Sequence, residues 1–303
     1  MSTITRLDQV VERVKNLPKK RIAIAVAEDQ NTLSAIDEAT KMGIIHPIML
    51  GNKDKIISLC KEEKINHSHF EIINFENDVE ATQEAVRLVR SGEADVLMKG
   101  LIGTDKFLKA VLDKEKGLLP PKTVMSYVCA IEVPKYKKLL FVSDTAVLPF
   151  PNLDQKIAMI KYSVNMAKKF GIEKPKVALL SAAEKVSSHF ENTIDYATIC
   201  KMADRKQLPE CIIDGPLDLF LACDPESVKI KGVPTPVNGE ADVLICPSIE
   251  AANIFYKGLM LFAEGELAGL IQGTIKPVVV MSRSESAKSK LYCIALSCLM
   301  SED

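Results

Sequence analysis

The chain has 303 residues, enough for two α/β domains or one large one, and its 47% hydrophobic and 26% charged content is that of an ordinary globular protein. Lys plus Arg number 39 against 40 Asp plus Glu, a formal charge of -1, and aromatic residues make up 5% with no Trp. This balance offers neither a basic face nor a stacking platform, which removes the argument for a nucleic-acid partner. No run approaches the roughly 18 apolar residues of a membrane span.

The N-terminal MSTITRLDQVVERVKN lacks the apolar core of a secretory signal and reads as part of an amphipathic helix. Eight scattered cysteines without a CxxC pair predict reduced thiols and a cytoplasmic protein. His67 and His69 alternate in a strand or loop and do not have the spacing of a zinc site, so no metal is expected.

Leu7, Val10, Val11 and Val14 recur at helical spacing, and Pro18 with the basic KKR closes that helix. RIAIAVAED follows as a buried strand with Glu28 and Asp29 at its end, and TLSAIDEATKM as a helix stopped by Gly43. HPIMLG, DKIISLCKEEK, HFEIINF, the helix from Asn77 to Arg90 and the strand from Ala94 to Met98 continue the alternation. It predicts a parallel sheet with helices on both faces.

Loops at the C-terminal ends of such strands are the default ligand sites. In LMKGLIGTDKFLKAVL a strand runs into Lys99-Gly100, and a Gly103-Thr104-Asp105 turn opens a helix carrying Lys106 and Lys109. Gly100 would admit a ligand closely, and Lys99 and Lys109 would supply charge; a glycine turn with solvent-facing lysines gives the same pattern. The spacing is not that of a P-loop, and no GxGxxG follows the first strand, which weighs against ATP-hydrolase and nicotinamide readings.

GLLPPK reads as a domain crossing. TVMSYVCAIEV and KKLLFVSDT fit antiparallel strands, so a mixed sheet is expected in the second lobe. AVLPFPN is a loop, Leu153 to Phe170 a helix stopped by Gly171, and KVALLSAAEK a strand and loop. Phe190 to Met202 reads as a helix, and CIIDGPLD as a strand ending in an Asp214-Gly215-Pro216 turn. In PSIEAANIFYK, Glu250, Asn253 and Tyr256 are helix-spaced and Lys257 follows, a polar face that suits a pocket or solvent equally.

PVVVMSRSESAKSK closes the pattern. Val278 to Met281 read as a short strand, Ser282, Arg283, Ser284 and Ser286 as hydroxyls around one guanidinium, and Ala287, Leu291, Ile294, Ala295 and Cys298 as a helix. Such a junction suits an anion, with Arg283 as a bidentate fork; a capped helix start with Arg283 in a surface ion pair fits as well. This last strand and helix are too short for a domain, so they are expected to return to the first. The predicted lobes are 1–120 with 276–303, and 121–275, with a cleft between them.

In this order, MKGLIGTDKFLKAVL, FVSDTAVLPFPNLDQK, VALLSAAEK, DGPLDL, PVNGEADVLICPSIEAANIFYK and VVMSRSESAKSKL resemble the phosphate acetyl/butyryltransferase family, especially its phosphate butyryltransferase branch. The resemblance implies a two-lobed, three-layer α/β/α fold like that of isocitrate and isopropylmalate dehydrogenases, with the active cleft between the lobes. It implies reversible conversion of a short-chain acyl-CoA, butyryl or branched, and phosphate into acyl phosphate and CoA. Both are substrates, no cofactor is implied, and a homodimer or larger homo-oligomer is expected. The family's SR motif falls on Ser282 and Arg283, implying a catalytic role, with Lys99, Gly100, Thr104, Lys109, Asn253, Lys257 and Ser286 around the substrates.

This chain departs from the family pattern at four places. Lys109 stands where the acetyltransferase branch has an arginine, and Ser289 where that branch has its base aspartate. Phe220 and Ala252 replace a usual aspartate and glycine, and Glu285 is the carboxylate nearest the motif. Direct transfer in a ternary complex is expected, since no cysteine has a visible base partner. A non-catalytic CoA- or anion-binding protein of the same fold, or another small-acid enzyme on a related fold, stays open.

Overall fold

A computed structural model describes residues 2–282 and 285–302. The chain forms two compact units, one of Leu7–Met125 with the segment from Leu267 onward, the other of the residues up to Arg6 with Ser126–Glu266.

The first unit opens with α1 (Leu7–Val14), β1 (Lys20–Ala25), α2 (Gln30–Lys41), β2 (Ile45–Gly51) and α3 (Lys53–Glu62). A 3₁₀ turn at His67–His69, where a strand or loop was expected, precedes β3 (Glu71–Asn74), α4 (Asp78–Arg90), β4 (Val96–Lys99) and α5 (Thr104–Val111). Short polar side chains set the helix starts: Asp29, Asn52 and Asn77 cap α2, α3 and α4 by accepting from backbone N–H groups of the first turn. All four residues of β4 and the last four of β1 are buried, as parallel strands covered on both faces require.

The second unit contains β5 (Ser126–Glu132), β6 (Leu140–Ser143), α6 (Leu153–Lys169), β7 (Lys176–Leu180), α7 (Glu191–Asp204) and β8 (Ile212–Leu217). It continues through α8 (Leu219–Cys223), α9 (Pro225–Lys231), β9 (Val243–Ile245) and α10 (Ile249–Phe262). The strand order is β5-β6-β9-β7-β8, antiparallel between β5 and β6 and parallel elsewhere. Asn152 starts α6 with a reciprocal capping box to Gln155, and Phe170 at its end meets Phe141 of β6 edge to face at 5.0 Å. Asp214-Gly215-Pro216 lies within β8 and not in a turn after it, because β8 follows β7 through a register shift and continues to Leu217.

The chain then returns as β10 (Glu266–Gln272), β11 (Val278–Val279) and α11 (Ala287–Met300). In the first unit the order is β3-β2-β1-β4-β11-β10, parallel except for β10 against β11. The strand expected to reach Met281 stops at Val279. Ser289 to Leu299 of α11 are all buried, and the helix packs against α1 and α2. It is wrapped on every side, which its nearly continuous apolar sequence demands.

The units divide at 125/126 and 266/267, where the sequence reading had 120/121 and 275/276. Leu118 N–H donates to Val111 and Ile275 N–H to Leu118, which keeps 117–125 with the first unit. Leu267 N–H donates to Ser289 Oγ and Gly269 N–H to Cys293 Sγ, which ties β10 to α11. Thr3 and Ile4 bond instead to Gly171 and Phe170 of the second unit. Among the described residues no helix is long and apolar enough to cross a membrane.

Candidate functional site

The C-terminal ends of β1 and β4 lie side by side in the first unit. Gly100 N–H donates to Ala25 at 2.9 Å and Leu101 N–H to Val26 at 2.7 Å. The two segments are so close that a Cβ on Gly100 would sit 2.2 Å from the Val26 carbonyl oxygen. Glycine at this position is therefore dictated by the chain's own backbone, where the sequence had suggested a ligand's approach. Val26 is itself held at φ 57°, an unusual conformation for a β-branched residue and a local store of strain.

A narrow recess opens beside this crossing. Its walls include Asp29, Thr32, Lys99, Gly100, Ser282 and Lys290. Lys99 and Lys290 are 7% and 3% exposed. Lys99 Nζ donates to the Gly100 carbonyl at 3.2 Å. Lys290, from the first turn of α11, reaches Asp29 Oδ1 at 3.4 Å and Thr32 Oγ1 at 3.5 Å. Asp29 also caps α2 by accepting from Thr32 N–H at 2.9 Å. Lys290 is thus ion-paired to Asp29, and Lys99 and Ser282 contribute to the same wall. The recess encloses about 10 Å³, room for about one water.

Lys99, Gly100 and Ser282, chosen from sequence, line this recess, and Arg283 and Ser284 lie outside the described residues. Ser286 is the N-cap of α11, accepting from Ser289 N–H at 2.9 Å. Ser289 turns inward, accepting from Leu267 N–H at 3.1 Å. Thr104 and Lys109 are exposed residues of α5 and do not line the recess. Asn253 and Lys257 belong to α10 of the second unit: Asn253 Nδ2 donates to the Thr145 carbonyl at 3.0 Å, and exposed Lys257 stands 6.0 Å from the Tyr256 ring centre. Phe220 is exposed on α8 and Ala252 fully buried in α10.

Sequence reasoning missed Lys290, Asp29 and Thr32. Asp29 was visible as an acid at a strand end, and Lys290 as a cation inside a helix whose following turns are apolar. Neither signal says that two segments so distant in the chain meet.

The second unit has a larger cavity of about 680 Å³, within the range of small-molecule sites. It is formed where the loops after β6, β7 and β9 deliver the starts of α6, α7 and α10, with Phe150, Asn152, Lys156, Phe190, Asp195 and Ser248 in its wall. Lys156 Nζ is buried against Asp195 Oδ2 at 2.6 Å, while Phe150 is 76% exposed.

All eight cysteines are free. Burial pushes the Cys200, Cys246 and Cys298 thiols up to about 12 and Cys223 up to about 11, so none of these four is a thiolate at neutral pH. Among the described residues no group of three or more His, Cys, Asp or Glu could hold a metal ion.

The family model described as phosphate acetyl/butaryl transferase matches residues 5–86 and 79–298. The phosphate butyryltransferase of Clostridium beijerinckii is 41% identical over 293 residues, 97% of each chain. That of Clostridium acetobutylicum is 40% identical over 98% of each. Among solved structures, a branched-chain phosphotransacylase from Enterococcus faecalis V583 superposes with a TM-score of 0.82 at 29% identity, covering 93% of this chain and 99% of that one. On identity of this extent over nearly its whole length, the chain belongs to the phosphate acetyl/butyryl transferase family.

Proposed function

We propose that the chain catalyses reversible transfer of a short acyl group, butyryl or branched, between CoA and inorganic phosphate. The observation that carries this reading is identity of 41% and 40%, over nearly the whole chain, to two phosphate butyryltransferases, with Lys99, Gly100 and Ser282 meeting in one recess. Phosphate attack on the thioester carbonyl forms the C–O bond, passes through a tetrahedral oxyanion and expels CoA as its thiolate. Negative charge accumulates on oxygen throughout, so fixed cations and hydroxyls at that point lower the barrier. The four cysteines held protonated by burial favour direct transfer within a ternary complex over an acyl-enzyme on any of them.

Ser282 and Arg283 are assigned to the reacting phosphate and carbonyl, with Lys99 and Gly100 forming the floor. Thr104, Lys109 and Lys257 are exposed and suit the charged parts of CoA, whereas Ser286 and Asn253 act by holding backbone. The cavity behind Phe150 and Phe190 joins apolar rings to helix starts, which suits an acyl-pantetheine arm. Free thiols fit a reducing cytoplasm, and a homodimer or larger assembly is part of the reading.

Free thiol released from acetyl-, propionyl-, butyryl-, isobutyryl- and isovaleryl-CoA, with and without phosphate, tests the proposal. Phosphate-dependent release, greatest with the butyryl or branched substrates and sharply reduced in Arg283→Ala, is expected. Binding of acyl-CoA without release would mean a non-catalytic module and defeat the reading.

A further inference from the structure

Helix α10 has the sequence of a core helix, IEAANIFYKGLMLF, in which Glu250, Asn253 and Lys257 are the only charged or amide side chains. Yet Ala252 is the one buried residue of its fourteen. A helix so apolar is ordinarily covered on all sides. The inner face is tied down: Ala252 is fully enclosed, Asn253 Nδ2 donates to the Thr145 carbonyl at 3.0 Å, and Ile249 N–H donates to that of Pro149 at 3.0 Å. The outer face has no such cover. Ile254, Leu261 and Phe262 are 73%, 75% and 84% exposed. Among the described residues five large apolar side chains are more than 70% exposed, and these are three of them. Seven and eight residues apart, they stand on one helical stripe and form a single patch, which marks an interaction surface where scattered apolar residues would not.

We propose that this face of α10 is the contact surface for a second copy of the chain, laid antiparallel across a two-fold axis. The inference rests on the assembly included in the acyltransfer reading, to which it gives a surface, and not on the acyl chemistry.

The area fits that occupant. Large apolar side chains offer on the order of 150 to 200 Å² each, so Ile254, Leu261 and Phe262 present about 400 Å² between them. The partly exposed residues around them bring the face to roughly 600 Å², close to the share of about 800 Å² that each partner gives to a specific interface. The stripe also complements itself. Ile254 lies near its start and Leu261 with Phe262 at its end, so an antiparallel copy sets each Ile254 on the Leu261–Phe262 pair of the other. A two-fold axis requires this reciprocity, since every contact is made twice. Fourteen residues span about 21 Å, long enough for both contacts to form at once. The formal charge of -1 leaves no long-range repulsion between two copies.

The test uses two double variants of the full chain, Ile254→Glu with Leu261→Glu and Ile254→Lys with Leu261→Lys, and measures mass in solution by light scattering and sedimentation. Wild type should have at least twice the 33.3 kDa of one chain. Each double variant should have half the wild-type mass at about 10 µM, its dissociation constant raised about a hundredfold or more by like charges meeting across the axis. An equimolar mixture of the two should be heavier than either alone, because opposite charges then face each other. That rescue shows that the variants are folded. Phe262→Ala, the mildest change on the stripe, should by itself weaken association about tenfold and serves if a double variant does not fold.

A wild type of 33.3 kDa overturns the proposal and the assembly with it. Variants that keep the wild-type mass overturn the surface and leave the assembly to another face. A mixture no heavier than its components overturns the face-to-face pairing. Phosphate-dependent thiol release by the wild type is read alongside: its absence defeats the acyltransfer reading, and the masses still decide the role of α10.

Discussion

Gly100→Ala isolates the geometry on which the recess depends. The added Cβ would lie 2.2 Å from Val26 O, 2.8 Å from Val26 C and 2.8 Å from Ala25 O. Carbon and oxygen pack no closer than about 3.3 Å, so β4 and β1 must part by about 1 Å at this point. The obstructing atoms are backbone, so no side chain can rotate away. A shift of that size stretches the bonds from Gly100 N–H to Ala25 and from Leu101 N–H to Val26, now 2.9 and 2.7 Å, beyond hydrogen-bonding range. Two buried bonds cost about 1 to 1.5 kcal/mol each, and overpacking adds about 1 to 3 kcal/mol, for a total of about 3 to 6 kcal/mol.

For a chain of this length that corresponds to a melting temperature lower by roughly 5 to 15 °C, read by circular dichroism. Because Lys99 precedes the displaced residue, kcat/KM for phosphate should fall further than stability alone requires. Gly258→Ala is the control: within α10 its Cβ would meet nothing within 4 Å, and the same substitution there should stabilise by about 0.5 to 1 kcal/mol. A Gly100→Ala protein melting within about 1 °C of wild type would refute the close approach and the placement of Lys99 derived from it.

Three further outcomes are expected. With thiols pushed up to about 12 by burial at Cys246 and Cys298, intact-mass analysis after butyryl-CoA without phosphate should show unmodified protein; an acyl adduct on cysteine would replace direct transfer by a two-step path. Phe150→Ala removes a ring that is 76% exposed, so melting should move by less than about 1 °C while the butyryl-CoA KM rises several-fold and the phosphate KM does not; unchanged acyl-CoA constants would take the ring out of the substrate site. Asp144 is raised above its ordinary 3.8 by burial, despite bonds from Ala146, Val147, Ser126 and Tyr127. The folded state therefore holds a proton that the unfolded chain has lost, and this group's contribution falls as pH rises from 3.8 through the folded value, so wild type should gain on Asp144→Asn at about pH 4 relative to about pH 8, and the reverse trend would contradict the assignment.

The parts of the fold legible in the sequence are those whose burial is local in pattern. β1 and β4 read as unbroken apolar runs because both their faces are covered, and the caps Asp29, Asn77 and Asn152 lie at helix starts that polar residues mark. The membership of β10 and of residues 2–6 was not legible, because it is decided by distant partners, Ser289 and Cys293 for one and Phe170 and Gly171 for the other. The site followed the same division. Lys99, Gly100 and Ser282 stand at strand ends, where topology alone predicts ligands, whereas Lys290 is buried in a helix with no polar face to set its phase.

That helix also separates neighbouring positions sharply. One residue further along an α-helix turns the side chain by about 100°, which is why Ser289 meets β10 while Lys290 meets Asp29. Lys290 therefore cannot stand in for a group at position 289. It reaches the recess, whereas Ser289 turns to β10.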